Sequence, residues 1–330
     1  MKLQVYNHSE AFEKLRAEWN DLVFRSTGNR IFSTWEWQST WWEVYQPGQL
    51  WIVTCRDLDD RLVGIAPWFI HDGTVSIIGC KEVTDYLDLI VDKDCVESVV
   101  TSFAEHLAEN RAEFETIEFC NLPEDSISHT VLPQLLDQQD FNVTIEHEDV
   151  CPIIDLPDEW TDYLMLLDKK QRHELRRKLR RAQGNTGPVD WYTVGPEHDL
   201  NEEMDHFLAM MAASDPSKAD FLEDTNNLRF FRTLAPVMLE KGWLQLNFLT
   251  VDGDRAASYL NFDYNNKILV YNSGLQGEYG HLSPGIILLA YTIQNAIETG
   301  HDTFDFLQGD ESYKYHLGGK DIEVLNLIAK

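Results

Sequence analysis

Two spacings of apolar residues alternate along the chain and divide it into helices and strands. The segment Ala11–Phe24 places Phe12, Leu15, Trp19 and Leu22 on one face of a helix. Short apolar runs bounded by turn residues predict strands. The predicted helices are Ala11–Phe24, Trp35–Tyr45, Val96–Glu109, Ile127–Gln138, Trp160–Gln183, Leu200–Ala213, Asn226–Lys241 and Pro284–Thr299. The predicted strands are Leu3–Tyr6, Leu50–Arg56, Arg61–His71, Thr74–Gly79, Tyr86–Val91, Thr116–Cys120, Phe141–His147, Val189–Val194, Trp243–Val251, Ala256–Tyr264, Lys267–Tyr271, Thr303–Leu307 and Ile322–Ile328.

The order of these elements occurs twice along the chain. Each half has a meander of antiparallel strands, a helix, a strand, a short helix and a final strand, without obvious residue identity between the halves. The boundary falls near Asp149–Asp158, which predicts two domains, residues 1–150 and 151–330. The predicted fold class is α+β, with a mixed, mostly antiparallel sheet flanked by helices in each domain.

Composition and charge narrow the class of protein. The 330 residues are 43% hydrophobic, which is enough for packed cores, and the formal net charge is −29. Such an acidic chain is not expected to bind DNA or an anionic membrane over its whole surface, although salt-adapted proteins share this acidity. The start of the chain lacks an apolar signal core and no run reaches about 20 apolar residues, so we expect a cytoplasmic protein.

The five cysteines are odd in number and widely spaced. None forms a C-x-x-C pair, so the sequence predicts neither a metal site nor a disulfide framework. We expect buried free thiols in a reducing compartment.

The segment Lys267–Lys320 concentrates the candidate chemistry. The strand ending at Tyr271 is followed by a loop and by Ser283-Pro284-Gly285, which is a helix start signal. A helix start beside a strand end presents free N–H groups and the positive end of the helix dipole. The sequence therefore predicts a site for a phosphate-bearing ligand here.

The same segment carries a family resemblance. The matching motifs are Arg172–Arg177, Ser283-Pro284-Gly285, and Phe304-Asp305-Phe306 followed by Gly309-Asp310-Glu311-x-Tyr313-Lys314. With the element order, they resemble the GCN5-related N-acetyltransferase (GNAT) superfamily, and within it the tandem-domain branch of CelD-type acetyltransferases and Fem aminoacyltransferases. The resemblance implies two tandem GNAT-like domains. It also implies acetyl-CoA or another acyl-CoA as co-substrate between two splayed strands, with its pyrophosphate at the start of the Pro284 helix. The loop Gln276–Gly280 departs from the superfamily pattern Q/R-x-x-G-x-G/A.

The corresponding loop of the first half has no glycine. It carries Asp92 and Asp94 where a pyrophosphate would lie, and these charges would repel the ligand. We therefore expect one active site per chain, in the second half.

Three residues are candidates for catalysis. Glu311 or Asp305 would accept the proton of an attacking amine, although Asp305 is equally suited to a structural carboxylate. Tyr313 stands where the resemblance implies a tyrosine that protonates the leaving thiolate, with Tyr315 as the competing choice.

The remaining candidates bind substrates. Tyr271, Asn272, His281, Ser283 and Gly285 are predicted to contact the donor. Lys314, Asp310, Arg172 and Arg176 are predicted to contact the acceptor, although Asp310 also suits a helix cap and Lys314 an ordinary solvated lysine. Arg172 and Arg176 belong to a basic helix in which cations cover most of the circumference. That helix either binds an anionic acceptor, a nucleotide-sugar, tRNA or a membrane, or pairs with the acidic remainder of the chain.

The sequence and the resemblance together predict an N-acyltransferase that acts on a primary amine. The expected acceptor is an amino sugar or another envelope or polysaccharide precursor, with possible peripheral association with an envelope-assembly complex and no metal. One alternative is a Fem-type enzyme that takes its acyl group from aminoacyl-tRNA. The other is a non-catalytic subunit of exopolysaccharide assembly.

Overall fold

A computed structural model describes residues 1–80, 83–185 and 187–330 and divides the chain into two compact units. The first unit contains Met1–Val150 together with Ile322–Lys330, and the second contains Cys151–Asp321. Among the residues described, none of the helices is long and apolar enough to cross a bilayer. The two units are described separately below.

The first unit is a sheet with helices packed on it. The strands follow the order β1-β2-β3-β4-β6-β13, and β5 pairs with β3. Neighbours are antiparallel except β4 and β6, which run parallel. The elements are β1 (Lys2–Tyr6), α1 (Glu10–Arg25), α2 (Trp35–Tyr45), β2 (Gln49–Arg56), β3 (Leu62–His71), β4 (Thr74–Ile77), β5 (Ile90–Val91), α3 (Val96–Glu109), β6 (Thr116–Pro123), α4 (Ile127–Thr130), α5 (Leu132–Asp137), the start of β7 (Val143–Asp155) and the end of β13 (Lys320–Ala329).

The core of the first unit lies between α3 and the sheet. Val99, Phe103 and Leu107 recur at helical spacing in α3 and are fully buried against Trp68 and its neighbours. Cys80 and Cys120 form a disulfide in this core, 40 residues apart in sequence. The prediction that all five cysteines are free thiols is therefore wrong for these two.

The second unit repeats this plan around the strand order β7-β12-β11-β10-β9-β8. Its only parallel pair among the described strands is β11 with β12, and the other neighbours are antiparallel. The elements are α6 (Trp160–Leu166), α7 (Lys169–Gln183), β8 (Val189–Thr193), α8 (Leu200–Ser214), α9 (Pro216–Glu223), α10 (Thr225–Glu240), β9 (Leu244–Val251), β10 (Asp254–Tyr264), β11 (Lys267–Leu275), a 3-10 turn (Gly277–Leu282), α11 (Pro284–Glu298), β12 (Thr303–Asp305) and α12 (Ser312–His316).

Helices cover both faces of this second sheet. α11 is almost wholly apolar and is buried on one face, where Ile287, Leu288 and Ile293 join the core. On the other face, the ring of Phe231 from α10 lies 5.8 Å from the ring of Tyr271 on β11. The mixed α+β architecture with flanking helices is the one that the apolar pattern predicted.

The structure corrects several element boundaries. The predicted helix Trp160–Gln183 is two helices, because Leu167 is extended and Asp168 caps α7 by accepting from the Gln171 amide at 2.8 Å. The segment Tyr86–Val91 is a strand only at its last two residues. The unpredicted helix α9 begins with an Asp-Pro pair, a start signal that was overlooked.

The final strands also differ from the prediction. The predicted second domain ended at residue 330, but residues Val324–Ala329 of β13 pair with β6 of the first unit. Conversely, β7 extends past the predicted boundary, and its residues Ile153–Asp155 pair with β12 in the second unit. The end of the second half thus joins the sheet of the first unit through β13. The end of β7 joins the sheet of the second unit.

Candidate active site

The parallel strands β11 and β12 of the second unit separate partway along β11. β12 pairs with β11 only from Lys267 to Leu269, whereas β11 continues to Leu275. On its other edge β11 pairs with β10, and the register shifts so that Tyr271 has no residue opposite it. Such a bulge leaves the extra residue outside the regular ladder. The far half of β11 therefore has an edge that β12 does not occupy.

The helix that follows β11 starts without a side-chain cap. Ser283 precedes Pro284 and has φ = 59°, but its hydroxyl does not accept from the amides of α11. It instead accepts a hydrogen bond from Lys178 Nζ at 2.6 Å. The predicted capping role of Ser283 is therefore wrong, and a lysine lies at the positive end of this helix. The first amides of α11 are left without a capping oxygen from Ser283.

A cavity of about 420 Å³ lies between β10, β11, the 3-10 turn and the start of α11, and we call it the α11 cavity. Ser283 and Gly285 line it, as predicted for donor contacts, and Tyr313 lines it from α12. A Cβ atom at Gly285 would lie 2.9 Å from Leu275 Cδ2 and 3.3 Å from the Tyr259 hydroxyl. The absence of a side chain at Gly285 keeps this part of the cavity open.

Tyr259 is the cavity residue that the sequence did not reveal. It lies on β10, is 4% exposed and lines the cavity. Its hydroxyl makes no hydrogen bond to any residue that the structure describes. The hydroxyl oxygen itself is not fully buried, because Tyr259 borders the cavity. This hydroxyl is therefore available to a ligand in the cavity.

Both cavity tyrosines are held in the protonated form. Burial, followed by the charge of Glu311, raises the pKa of Tyr313. Burial also raises the pKa of Tyr259, with smaller contributions from Tyr313 and Glu311. A phenol with a raised pKa donates a hydrogen bond or a proton and does not act as a base at neutral pH.

Lys314 stabilises the loop after β12. It is 2% exposed, and its ammonium group donates to the carbonyl oxygens of Leu307 at 3.0 Å, Gln308 at 2.6 Å and Gly309 at 3.0 Å. Glu311 lies 2.9 Å from the same group. Three donors facing three carbonyls leave none for a substrate. The predicted acceptor contact of Lys314 is therefore corrected to a structural role.

Asp305 supports the same loop. Its carboxylate is 3% exposed and accepts from the Leu307 amide at 2.8 Å, where Leu307 has φ = 55°. This contact stabilises a backbone conformation that is unfavourable for leucine. Phe304 and Phe306 pack on the opposite side, as their alternation predicted. Asp305 does not line the α11 cavity.

Glu311 is the accessible carboxylate beside the cavity. Its side chain is 57% exposed, and it precedes the helix that carries Tyr313. Lys218 of α9 lies near it and donates to the carbonyl and hydroxyl oxygens of Ser273 at 2.8 and 3.0 Å. Burial lowers the pKa of Lys218, and the charges of Glu311 and Asp215 only partly oppose this. Lys218 was missed because α9 was not predicted.

The other predicted residues lie away from the cavity. Tyr271 packs between Phe231 and Phe262, with ring centroids at 5.8 and 5.3 Å. Asn272 accepts from the Ser273 amide at 2.8 Å. Among the residues predicted here, side chains are exposed at His281, Asp310, Arg176 and Tyr315, and Arg172 donates to the Leu164 carbonyl at 3.4 Å.

A second concavity of about 840 Å³ follows α7, and we call it the α7 groove. Lys169, Lys170, Arg177, Lys178 and Arg180 supply its cations. His173 and His316 also line it, whereas Arg176 does not. Lys178 borders this groove and contacts Ser283 of the α11 cavity. The basic helix therefore lies beside the start of α11.

Comparisons with known proteins agree with this geometry. Residues 169–315 match the family model of the acetyltransferase (GNAT) domain. This match lies in the second half of the chain, confirms its predicted resemblance to the GNAT superfamily and supports an acyltransferase. No curated protein sequence matches the chain significantly.

Solved structures share the fold across nearly the whole chain. The chain is similar to FemX, with a TM-score of 0.67 and 11% identity over 99% of this chain and 97% of that one. It is similar to a conserved protein of unknown function from Bacteroides thetaiotaomicron, with a TM-score of 0.62 and 13% identity over 95% and 96%. For L-PGS from Bacillus licheniformis the TM-score is 0.60, with 9% identity over 94% and 90%. At these identities the likeness concerns the fold alone.

Proposed function

We propose that the protein transfers an acyl group from acyl-CoA to a primary amine, such as that of an amino sugar or another envelope or polysaccharide precursor. The observation that carries the proposal is the α11 cavity. There an uncapped helix start, an unoccupied strand edge and the unpartnered Tyr259 hydroxyl face one space. Free amides and a helix dipole suit a diphosphate, and a strand edge suits the amide groups of an extended pantetheine chain.

The reaction needs three protein contributions. The amine nitrogen attacks the thioester carbonyl carbon, the C–N bond forms, and the C–S bond then breaks. Backbone N–H groups of β11 near the cavity-lining residues Ser273 and Leu275 would stabilise the oxyanion, an effect typically worth about 3 kcal/mol. Glu311, directly or through water, would take the amine proton, and Tyr313 would protonate the departing thiolate.

The choice of Glu311 over Asp305 follows from their surroundings. Neither carboxylate lines the α11 cavity itself. Asp305 is buried and accepts from the Leu307 amide, so it serves the loop after β12. Glu311 is more than half exposed and affects both cavity tyrosines electrostatically. A base must reach both the substrate and water, which favours Glu311.

The test is a comparison of two substitutions at the same position of two helices. Gly285 is the second residue of α11, and Glu97 is the second residue of α3 in the first unit. Gly285→Glu would place a carboxylate against the proposed diphosphate site. Two like charges about 4 Å apart at an effective dielectric constant of about 20 repel by about 4 kcal/mol. We expect calorimetry to show CoA binding weakened by more than roughly 100-fold.

The matched control is Glu97→Gly, for which CoA affinity should not change. Leu275 is partly exposed and can move, so Gly285→Glu should keep the circular dichroism spectrum of the wild type. Equal CoA affinity in Gly285→Glu and the wild type would refute the site. Release of thiol from acetyl-CoA in the presence of glucosamine then tests the reaction itself.

Aminoacyl-tRNA is a second candidate donor, which the basic surface of α7 favours. The longest helices that the structure describes have 16 residues, so a long helical arm of the Fem type is not among them. Filter binding of tRNA at increasing salt tests this candidate. Binding that falls steeply with salt would support it, and no binding at low salt would remove it.

A further inference from the structure

The α7 groove and the α11 cavity meet at Lys178. Lys178 borders the groove, and its ammonium group donates to Ser283 Oγ in the cavity at 2.6 Å. Arg181 strengthens the same junction by donating to the His281 carbonyl at 2.7 Å. The groove therefore begins where the start of α11 would hold a diphosphate.

Three of the five cations of the groove have no acidic partner among the described residues. Among the described residues that line it, Glu174 is the one acidic residue, and it already pairs with Arg177 at 2.6 Å and lies 3.7 Å from Lys178. The side chains of Lys169, Lys170 and Arg180 form no ion pair or hydrogen bond with any residue described in the structure.

The positions of Lys169 and Lys170 also argue against a structural role. Lys169 and Lys170 occupy the first turn of α7, where the helix dipole disfavours positive charge. The chain has 56 acidic residues against 27 Lys and Arg, so pairing partners are abundant elsewhere. Unpaired cations at an unfavourable helix end, lining a groove, indicate an anionic ligand rather than a structural network.

We propose that the α7 groove binds the 3′-phosphorylated nucleoside end of the acyl donor. This inference rests on the proposed use of acyl-CoA. In CoA, the diphosphate joins pantetheine to an adenosine that carries a 3′-phosphate. With the diphosphate at Ser283, the adenosine lies next to Lys178, and its phosphate meets the unpaired cations. The predicted acceptor contact of Arg176 is not part of this site, because Arg176 lies outside the groove.

The test compares CoA with dephospho-CoA, which lacks only the 3′-phosphate. Calorimetry on the full chain should show dephospho-CoA binding about tenfold more weakly than CoA at low salt, with the difference shrinking as salt rises. Arg180→Gln should weaken CoA binding about three- to tenfold and change dephospho-CoA binding less than about twofold.

Arg176→Gln is the matched control. It removes the same charge from the same helix, and Arg176 is exposed like Arg180 but outside the groove. We expect it to leave the affinity for both ligands unchanged. Since both side chains are exposed, the two variants should have the circular dichroism spectrum of the wild type.

Each other outcome overturns the inference. If wild type binds CoA and dephospho-CoA equally, the groove does not bind the 3′-phosphate, and the proposed function is unaffected. If neither ligand binds, the proposed function fails as well. If Arg180→Gln instead abolishes salt-dependent tRNA binding and leaves CoA affinity unchanged, the groove is an RNA site.

Discussion

Helices α3 and α11 occupy equivalent places in the two units, yet their first turns differ. Each follows the antiparallel meander and precedes a strand that pairs in parallel, β6 in the first unit and β12 in the second. At the second position of the helix, α3 has Glu97 and α11 has Gly285. One helix start therefore carries its own negative charge, and the other leaves space.

The residues before α3 complete this difference. Asp92 is 2% exposed and accepts from Arg25 Nε at 3.0 Å, from Arg61 Nη2 at 3.0 Å and from the Asp94 amide at 3.1 Å. Burial by itself would raise the pKa of Asp92, but the hydrogen bonds from Arg25 and Asp94 and the charges of both arginines lower it. Before α11 the corresponding residue is Ser283, whose hydroxyl accepts a hydrogen bond from Lys178.

The comparison shows how one fold serves two purposes. In the first unit the protein supplies the anion, and the surrounding cations stabilise the fold. In the second unit Lys178 lies 3.7 Å from Glu174, but none of the described residues that line the α11 cavity is acidic. That Asp92 and Asp94 exclude a donor from the first unit stays a prediction.

The largest effect on stability is expected for Asp92→Asn. It leaves two arginines without their buried anion, and partial exposure of both moderates the loss to about 2 kcal/mol of the free energy of unfolding. Urea unfolding followed by tryptophan fluorescence reports on the first unit, which holds seven of the ten tryptophans. Asp94→Asn, at an exposed carboxylate, is the control and should change stability by less than about 0.5 kcal/mol. CoA affinity should not change in either variant, and a loss of affinity would contradict the comparison.

The same group predicts a dependence on pH. The pKa of Asp92 is lowered in the folded state, so its contribution is fully present above the unfolded pKa of about 4 and is lost as pH falls through the folded pKa. Wild type and Asp92→Asn should therefore differ in stability at pH 6 and converge in acid. A difference that persists unchanged in acid would assign the effect to packing.

A smaller effect is expected for Tyr313→Phe. Because a thiolate is already a good leaving group, loss of the acid should lower kcat about tenfold without abolishing turnover. Affinity for CoA, measured by calorimetry, should stay within about twofold, which separates a role in catalysis from one in binding. Tyr315→Phe should leave kcat unchanged, since this side chain lies outside the cavity.

The smallest effect is expected for Tyr259→Phe. The change in its melting temperature distinguishes a hydroxyl that serves ligand binding from one that serves the fold. Removing a hydroxyl that makes no hydrogen bond to the described residues should not lower the melting temperature, whereas CoA affinity should fall about fivefold. Tyr163→Phe is the matched opposite, because the buried Tyr163 hydroxyl donates to the Leu317 carbonyl at 2.8 Å. That variant should lose about 1 kcal/mol of stability and keep its affinity. A destabilised Tyr259→Phe with full affinity would mean that the hydroxyl serves the fold.

Local patterns predicted the elements well and the site in part. The bounds of α2 and α3 match the prediction to the residue, because their apolar spacing and their ends are both marked in the sequence. Ser283 and Gly285 line the cavity because a helix start is a local feature. Tyr259 could not be found this way, since its missing partner depends on how β10, β11 and α11 pack.

Contacts that local patterns do not reveal explain the errors as well. Lys314 looked like a surface lysine, but the loop at 307–309 turns its carbonyls inward around it. Cys80 and Cys120 are brought to a Cα separation of 5.6 Å by the packing of the first unit. Neither contact has a signature in residue spacing.

The exchange of final strands has a consequence for biosynthesis. Residues 322–330 belong to the first unit, so its sheet lacks a strand until the chain has been translated through that segment. During translation one edge of β6 therefore stays unpaired until residues 322–330 have been synthesised. An unpaired strand edge can bind chaperones or associate with other chains. A proteolytic cut after Asp321 would leave every residue of the α11 cavity in place and still weaken the unit that carries none of them.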